Sequence, residues 1–366
     1  MALSKVDLAN QVENQLPQNL VANNLPFRNI IINGDMSIAQ RGTSTASITS
    51  SGYYTVDRFG TAISSLGTWT NSQSTDVPTG QGFASSFKLD CTTADASPAA
   101  SDNLRVFTKF EGQNLQYLKK GTASAVSLTA SFWVKSTKTG TFILELQDVD
   151  NARTISKSYT VDVTNTWEKK TITYEGDTTG AYDNDNNGSL QLNFWLGAGT
   201  DFTSGTLNTT WNANTNANRA VGQVNLADST SNEWYITGVQ LEAGTTASDF
   251  EFLPVDVNLA RCQRYLLTFG NSNNFIGHFY ATNTVNASIY FPNKLRADPT
   301  VSCTSLTNSI RVYSAGVLRY SSTFADNGVT AEQGELSASV TGGTAGNALT
   351  ANINNGGFLL QFDAEL

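Results

Sequence analysis

Two short motifs about 200 residues apart bracket most of this chain and restrict it to a closed β-domain. N-I-I-I-N-G-D-M-S-I-A-Q-R-G occupies 29–42 and Y-T-V-D-R-F follows at 54–59. W-Y-I-T-G-V-Q-L-E-A-G occupies 234–244 and F-E-F follows at 250–252. Each bracket reads as a short apolar strand ending in a Gly turn, so the first and last strands of one domain are expected to be neighbours in a sheet.

Between the brackets the alternation has a period of two, the signature of strands with one buried face. Leu128, Ala130, Phe132 and Val134 form one face of 127–135. Phe142, Leu144 and Leu146 do so in 141–147, and Leu190, Leu192, Phe194 and Leu196 in 190–196. Turn-forming clusters separate them, S-T-K-T-G-T at 136–141 and D-N-D-N-N-G at 183–188 among them. Only 14% of residues are charged, and Ser, Thr, Asn and Gly take their place on turns and solvent faces. The pattern predicts an all-β chain whose main domain, 27–254, is an antiparallel jelly-roll sandwich.

Two helices are expected outside it. Residues 4–15 carry an N-cap at Ser4, an apolar stripe through Val6, Ala9 and Val12, and a stop at Pro17. A helix this short needs a partner surface, so 1–26 reads as an attachment segment. The second helical pattern covers 256–267, with Asp256 as cap, and 255–268 reads as a helical neck. Strand patterns resume beyond it, and 269–366 is long enough for a second, small β-sandwich.

Net charge is −9. An acidic chain lacks the cations that neutralise a phosphate backbone, which argues against nucleic-acid binding. No apolar run approaches the roughly 20 residues that cross a bilayer, so no membrane insertion is expected. The start, M-A-L-S-K-V-D, has no export-signal pattern. Cys91, Cys262 and Cys303 form no C-x-x-C pair and read as buried free thiols of a reducing cytoplasm. His278, the single histidine, lies in G-H-F-Y without a serine elbow and reads as structural.

The opening bracket resembles the N-G-D/N-x-x-x-x-Q-R-G start of bacteriophage tail-fibre and tail-associated proteins with a carbohydrate-binding-module-like jelly roll. Y-T-V-D-R-F is similar to their Y-x-x-D-R-W/F, and the closing bracket to their V-Q-L-E-x-G … F-E. R-C-Q-R-Y at 261–265 and F-P-N-K-L-R-A-D-P-T-V at 291–301 resemble two further segments of the same proteins, with Leu295 where Met is usual. The resemblance covers about 29–301. It implies a virion protein concerned with host attachment, commonly a homotrimer, synthesised in the host cytoplasm. It carries over no binding residue.

The expected function is thus a non-catalytic fibre or receptor-binding adhesin for a host-surface glycan, joined to other virion proteins through residues 1–24. The alternatives are a structural virion part without receptor contact, such as a head fibre, decoration or tail-assembly component, and a glycan depolymerase. The strand faces opposite the leucine core supply the candidate glycan site: Trp195, Trp133, Gln191, Asn193, Glu145 and Gln147. Indole rings stack on sugar C–H faces, and amides and carboxylates bind hydroxyls. Trp195, lying outside the core, is expected to matter for binding more than for stability. No cofactor is expected apart from a candidate structural calcium at Asp183, Asp185 and Asn187, which match the first half of D-x-[DN]-x-[DN]-G. The closing Glu of that motif is replaced by Phe194. Asp35 and Glu242 are a second candidate calcium pair. Of the carboxylates that could serve hydrolysis, the central strands offer only Glu145 on their outward face, while Asp148 and Asp150 fall at its strand end and read as turn residues, so nothing points to a hydrolytic pair.

Overall fold

The computed structural model describes residues 27–270, 273–303, 310–353 and 360–366. The expected helix at 4–15 and the attachment segment lie outside them. The chain divides into two compact units after Leu253, and both are antiparallel β-structures.

In the first unit a six-stranded sheet runs, in spatial order, Ser44–Ile48, Thr68–Ser74, Ser86–Thr93, Glu233–Ala243, Leu128–Ser136, Glu168–Tyr174. A seven-stranded sheet runs Asn212–Ala213, Arg153–Val161, Gly140–Asp148, Gly188–Ala198, Asn103–Glu111, Gly60–Ser64, Gly52–Tyr53. The apolar sets expected to face inward do so: all of Leu128, Ala130, Phe132, Val134, Phe142, Leu144, Leu146, Leu190, Leu192, Phe194 and Leu196 are buried. Edge-on rings join the two sheets, with Phe132 of one 5.2 Å from Phe194 of the other and Trp234 5.6 Å beyond it. Burying each such side chain stabilises the sandwich by about 1.5–3 kcal/mol.

The brackets meet, but the opening one is not a strand. Residues 29–42 form a turn-rich clasp laid along the closing strand. Past Ile236 that strand leaves its pairing with Ser86–Thr93 and bulges between Thr237 and Gln240. Gly238 supplies the positive φ the bulge requires, +59°. The freed edge binds the clasp: Val239 N–H donates to Gly34 O (2.8 Å), and Ile30 N–H donates to Leu241 O (2.9 Å). Asn29 completes the set with its side chain, accepting from Leu241 N–H at 3.0 Å and donating to Val239 O at 3.2 Å. A side-chain amide thus replaces ladder bonds, which period-two reading does not detect.

The remaining motif residues hold this clasp. Glu251 accepts from Asn29 N–H at 2.9 Å. Its own N–H donates to Gln240 Oε1, and Gln240 Nε2 donates to Glu242. Glu242 also accepts the Ser248 N–H and hydroxyl. Phe250 and Phe252 flank Phe83 at 5.1 Å each, and Phe83 lies where a Cβ on Gly238 would fall, 2.5 Å from the ring. Asn33 and Met36 adopt left-handed φ. The Asn33 side chain offsets that cost by bonding Ile38 in both directions and Asp57 O. Asp57 in turn accepts from the Gln40 backbone at 2.8 Å.

In the second unit the helix spans Val255–Gln263 only. Tyr265 N–H turns back to Cys262 O, and Leu266–Phe269 is a strand. The 256–267 helix is therefore corrected at its end: an apolar run such as Y-L-L-T-F fits helix or strand, and pairing with Leu360–Asp363 decides it. That C-terminal strand is the centre of a three-stranded sheet, with Thr300–Cys303 on its other side. Arg296 secures it by donating to Ala364 O and Glu365 O, and Leu295 is fully buried in the same core. The second sheet runs Val317–Tyr320, Ile310–Ser314, Ala348–Ile353, Asn274–Ala281, Thr284–Tyr290, Gln333–Ser339, Thr323–Val329. Cys91 and Cys262 are buried and outside any disulfide, and Cys303, also unbridged, is half-buried.

A Cβ on Gly34 would fall 2.0 Å from Val239 O, a backbone atom that cannot yield. Gly34→Ala is expected to cost the first unit about 1–3 kcal/mol and to lower its calorimetric midpoint. An unchanged midpoint would show that the clasp does not close the sandwich.

Candidate functional site

Register brings most of the expected residues together. Asn193 pairs with Glu145, Gln191 with Gln147, and Trp195 with Ile143, all on the outward face of the seven-stranded sheet. On the other side Trp195 is opposite Arg105 and Asn193 opposite Phe107. This face is not open. The connection after Ala198, with its short helix Thr200–Thr203, lies over it. Phe202 packs 5.3 Å from Trp195, and Ile143, Trp195 and Ala220 form a small satellite core against which Leu207 also packs.

Arg219 fastens the cover. Its guanidinium forks onto Glu145, Nε to Oε1 and Nη2 to Oε2, both at 2.7 Å, and Nη2 also reaches Gln147 Oε1 at 2.8 Å. Asn193 Nδ2 (3.0 Å) and Trp195 Nε1 (3.2 Å) donate to the same carboxylate. Gln191 Nε2 donates to Asn193 Oδ1 at 2.6 Å. Two cations lie over the indole, Arg105 at 4.8 Å and Arg219 at 5.2 Å from its centroid. Burial first, and then the charge of Arg219, lower the Arg105 pKa to about 10, with Glu145 acting in the opposite direction.

The expectation of an accessible platform is accordingly corrected for Trp195, Asn193 and Glu145, each with no exposed surface; Gln191 and Gln147 remain half-exposed. A lone Trp beside a lone Glu on a polar strand face, and a lone Arg ending N-A-N-T-N-A-N, were the available signs of a cover. Trp133 does not join this group. It sits on the six-stranded sheet, opposite Lys169 and Thr237. Nearby on that sheet, Lys135 lies 4.3 Å over Tyr235 and pairs with Asp76.

The calcium candidates lie in a turn. Asp185 accepts from Asn187 N–H and Nδ2, while Asp183 N–H donates to Asp150. Asp35 accepts from Ser37, and Glu242 belongs to the clasp. Among the described residues, no group of three or more His, Cys, Asp or Glu side chains is placed to hold a metal. Close by in sequence, oxygens do converge, on the Lys120 ammonium: Asp148, Asp177 at 3.1 Å, and the Thr179 and Gly180 carbonyls at 2.7 Å. Tyr182 and Trp211 close over it. Burial raises the Asp177 pKa, but Arg153, the Thr179 N–H and Lys120 outweigh this and hold it below its ordinary value.

The second unit carries an open face that the sequence reading missed. Its seven-stranded sheet turns Ile276 (79% exposed), Tyr290 (75%) and Tyr280 (71%) to solvent, with Tyr313, Leu318 and Tyr320. Register aligns Leu318, Tyr313, Thr350, Ile276, Ser288 and Glu335 in one cross-strand row, roughly 24 Å long at 4.8 Å per strand. Tyr320, Arg311, Asn352 and Asn274 form the row beside it. His278 is exposed on this face. The alternation was legible in N-F-I-G-H-F-Y-A, but an exposed Ile or Tyr reads by default as a core residue.

No protein-family model matches the chain, and no curated relative is found by sequence. Solved structures with partial likeness include the enzymatically active domain of tailspike protein 4 from bacteriophage CBA120 (15% identity, TM-score 0.32). That match covers 60% of this chain but only 22% of the tailspike chain. A putative sugar binding protein from Bacteroides thetaiotaomicron matches at 10% identity and TM-score 0.31, covering 59% of this chain and 99% of that one. A family 11 carbohydrate-binding module of a Clostridium thermocellum cellulase matches at 12% and 0.25, covering 55% and 99%.

Two outcomes follow for the first unit. Trp195→Ala is expected to lower stability by about 3–5 kcal/mol, and Arg219→Ala, which strands Glu145, by a similar amount; calorimetry that finds either variant as stable as the parent contradicts the sealed-face account. Lys120→Met should also cost about 3–5 kcal/mol. Because the Asp177 pKa is depressed in the fold, its stabilisation is complete above the ordinary carboxylate range and is lost as pH falls through the lower folded value. Acid titration of stability should therefore show a shallower fall for Asp177→Asn than for the parent, and superimposable curves count against the linkage.

Proposed function

We propose that the chain is a bacteriophage fibre protein, a tail fibre or receptor-binding adhesin, that attaches the virion to a host-surface glycan without catalysis. Residues 1–24 join it to other virion proteins, and it assembles as a homotrimer. The five motifs that resemble phage tail-associated proteins, in their expected order, support the setting. The observation that carries glycan recognition is the second unit's outward sheet, where exposed tyrosines stand among Asn, Thr and Ser side chains. Aromatic rings stacked on sugar faces and amides bonded to hydroxyls are the chemistry of such a contact. The burial of Glu145 under the Arg219 fork supports binding over hydrolysis, since no open cleft lies beside this carboxylate for a glycosidic bond.

One observation favours a purely structural virion role for the first unit: its outward face is sealed over Trp195. Whole-particle adsorption separates the readings. Purified full-length protein should compete with phage for host cells, and antibody against it should block attachment. If neither changes adsorption while the protein is present on particles, it is a structural component. Light scattering should give the mass of three copies, which multiplies weak single-site binding; a stable monomer at micromolar concentration contradicts the trimer.

A further inference from the structure

The second unit holds a concave site of about 520 Å³ at one end of the tyrosine-bearing sheet, lined by Phe269, Asn273, Asn274, Ile276, Ser288 and Tyr290 among others. Its volume is that of an ordinary ligand cleft. Its chemistry is specific in kind. Phe269 and Ile276 supply apolar surface, Tyr290 an exposed ring, and Asn273, Asn274 and Ser288 donors and acceptors, while among the described residues none of the lining side chains is charged. Outside the cleft the surface continues along the two cross-strand rows through Thr350, Asn352 and Tyr313. Arg311, the nearest cation in those rows, donates to Asn352 Oδ1 at 3.0 Å.

We propose that this cleft is the terminal subsite of a platform for a neutral polysaccharide chain, with Tyr290 as the stacking residue and Asn274 as the hydroxyl-binding one. The proposal rests on the glycan-attachment reading and names where, and for which class of sugar, attachment occurs. Neutrality follows from the lining: an acidic sugar buried against amides and rings, with no cation among the described lining residues, would lose solvation that these groups do not return. An elongated ligand follows from the rows, which extend past the cleft across several strands. A protein partner of this area would be expected to meet an apolar centre with a polar rim, whereas here Thr350 and Asn352 stand in the middle of the rows, with Thr350 between Tyr313 and Ile276.

The test is affinity of the full-length protein for a panel of neutral oligosaccharides and for acidic counterparts of the same length. A neutral oligosaccharide should bind, and Tyr290→Ala should weaken it about tenfold or more, in line with the loss of one stacked ring. Asn274→Ala should weaken it too, and Gln191→Ala in the first unit should not. Both second-unit positions are exposed, so the thermal midpoint should hold, and calorimetry on each variant separates lost binding from lost fold. If the parent binds a neutral sugar and Tyr290→Ala binds it equally, the cleft is not the site, although attachment to glycan stands. Selective binding of the acidic sugars overturns the assigned class. If Tyr290→Ala instead changes the mass of the assembly, the face is a contact between copies. Absence of binding to any sugar defeats the attachment reading itself.

Discussion

The first unit depends on one break in a ladder. The closing strand bulges at Gly238 and Val239, leaves its neighbour, and opens an edge to which the segment at 29–34 binds. Ile236 is opposite Phe87, so only Ser86 of that neighbour remains beyond it, and the edge at Val239–Leu241 passes to the clasp. There, a segment from the start of the unit and one from its end are held by two backbone bonds and the Asn29 amide. Gln240, Glu242 and Glu251 then arrange the turn that follows, so the residues that make the brackets recognisable serve closure. Their chemistry is polar, but it is directed inward, which is why it indicates no active centre.

The same logic governs the outward face. A strand that alternates Leu inward with Trp and Asn outward would expose a large ring, and the chain resolves this with a cover rather than a ligand. The cover carries a cation, Arg219, and the strands beneath it a buried carboxylate, Glu145, which together form a forked pair to which Asn193 and Trp195 also donate. Such a pair adds little over an apolar substitute, yet losing one partner is expensive. It therefore fixes which loop lies on which face more than it adds stability. The Lys120 cluster works alike, with an ammonium where carboxylates and carbonyls converge.

Strand positions and inward faces were legible in the sequence because alternation is local. The clasp was not, since its ladder bonds come from the Asn29 side chain and from Gly34, and neither leaves a periodic trace. Candidate residues were placed on the correct face for Trp195, Asn193, Gln191, Glu145 and Gln147, because register preserves alternation. The burial of Trp195, Asn193 and Glu145 was invisible because it depends on Phe202, Ala220 and Arg219 in a stretch without periodicity. Trp133 was grouped with Trp195 because both are outward, but outward on two sheets of a sandwich means opposite sides. The tyrosine face of the second unit escaped notice for the converse reason: its strands alternate, and both of their faces carry apolar residues.

The central claim is that recognition belongs to the outward sheet of the second unit while the first unit's outward face stays sealed. Hydroxyl-radical footprinting of the full-length protein, with and without polysaccharide purified from the host surface, tests it most directly. The account predicts that Tyr290, Tyr280 and Tyr313 are reactive in the free protein and protected when the polysaccharide is bound, with Trp195 unreactive in both. Unchanged tyrosine reactivity upon binding, or a Trp195 that is reactive when free and protected when bound, would contradict it.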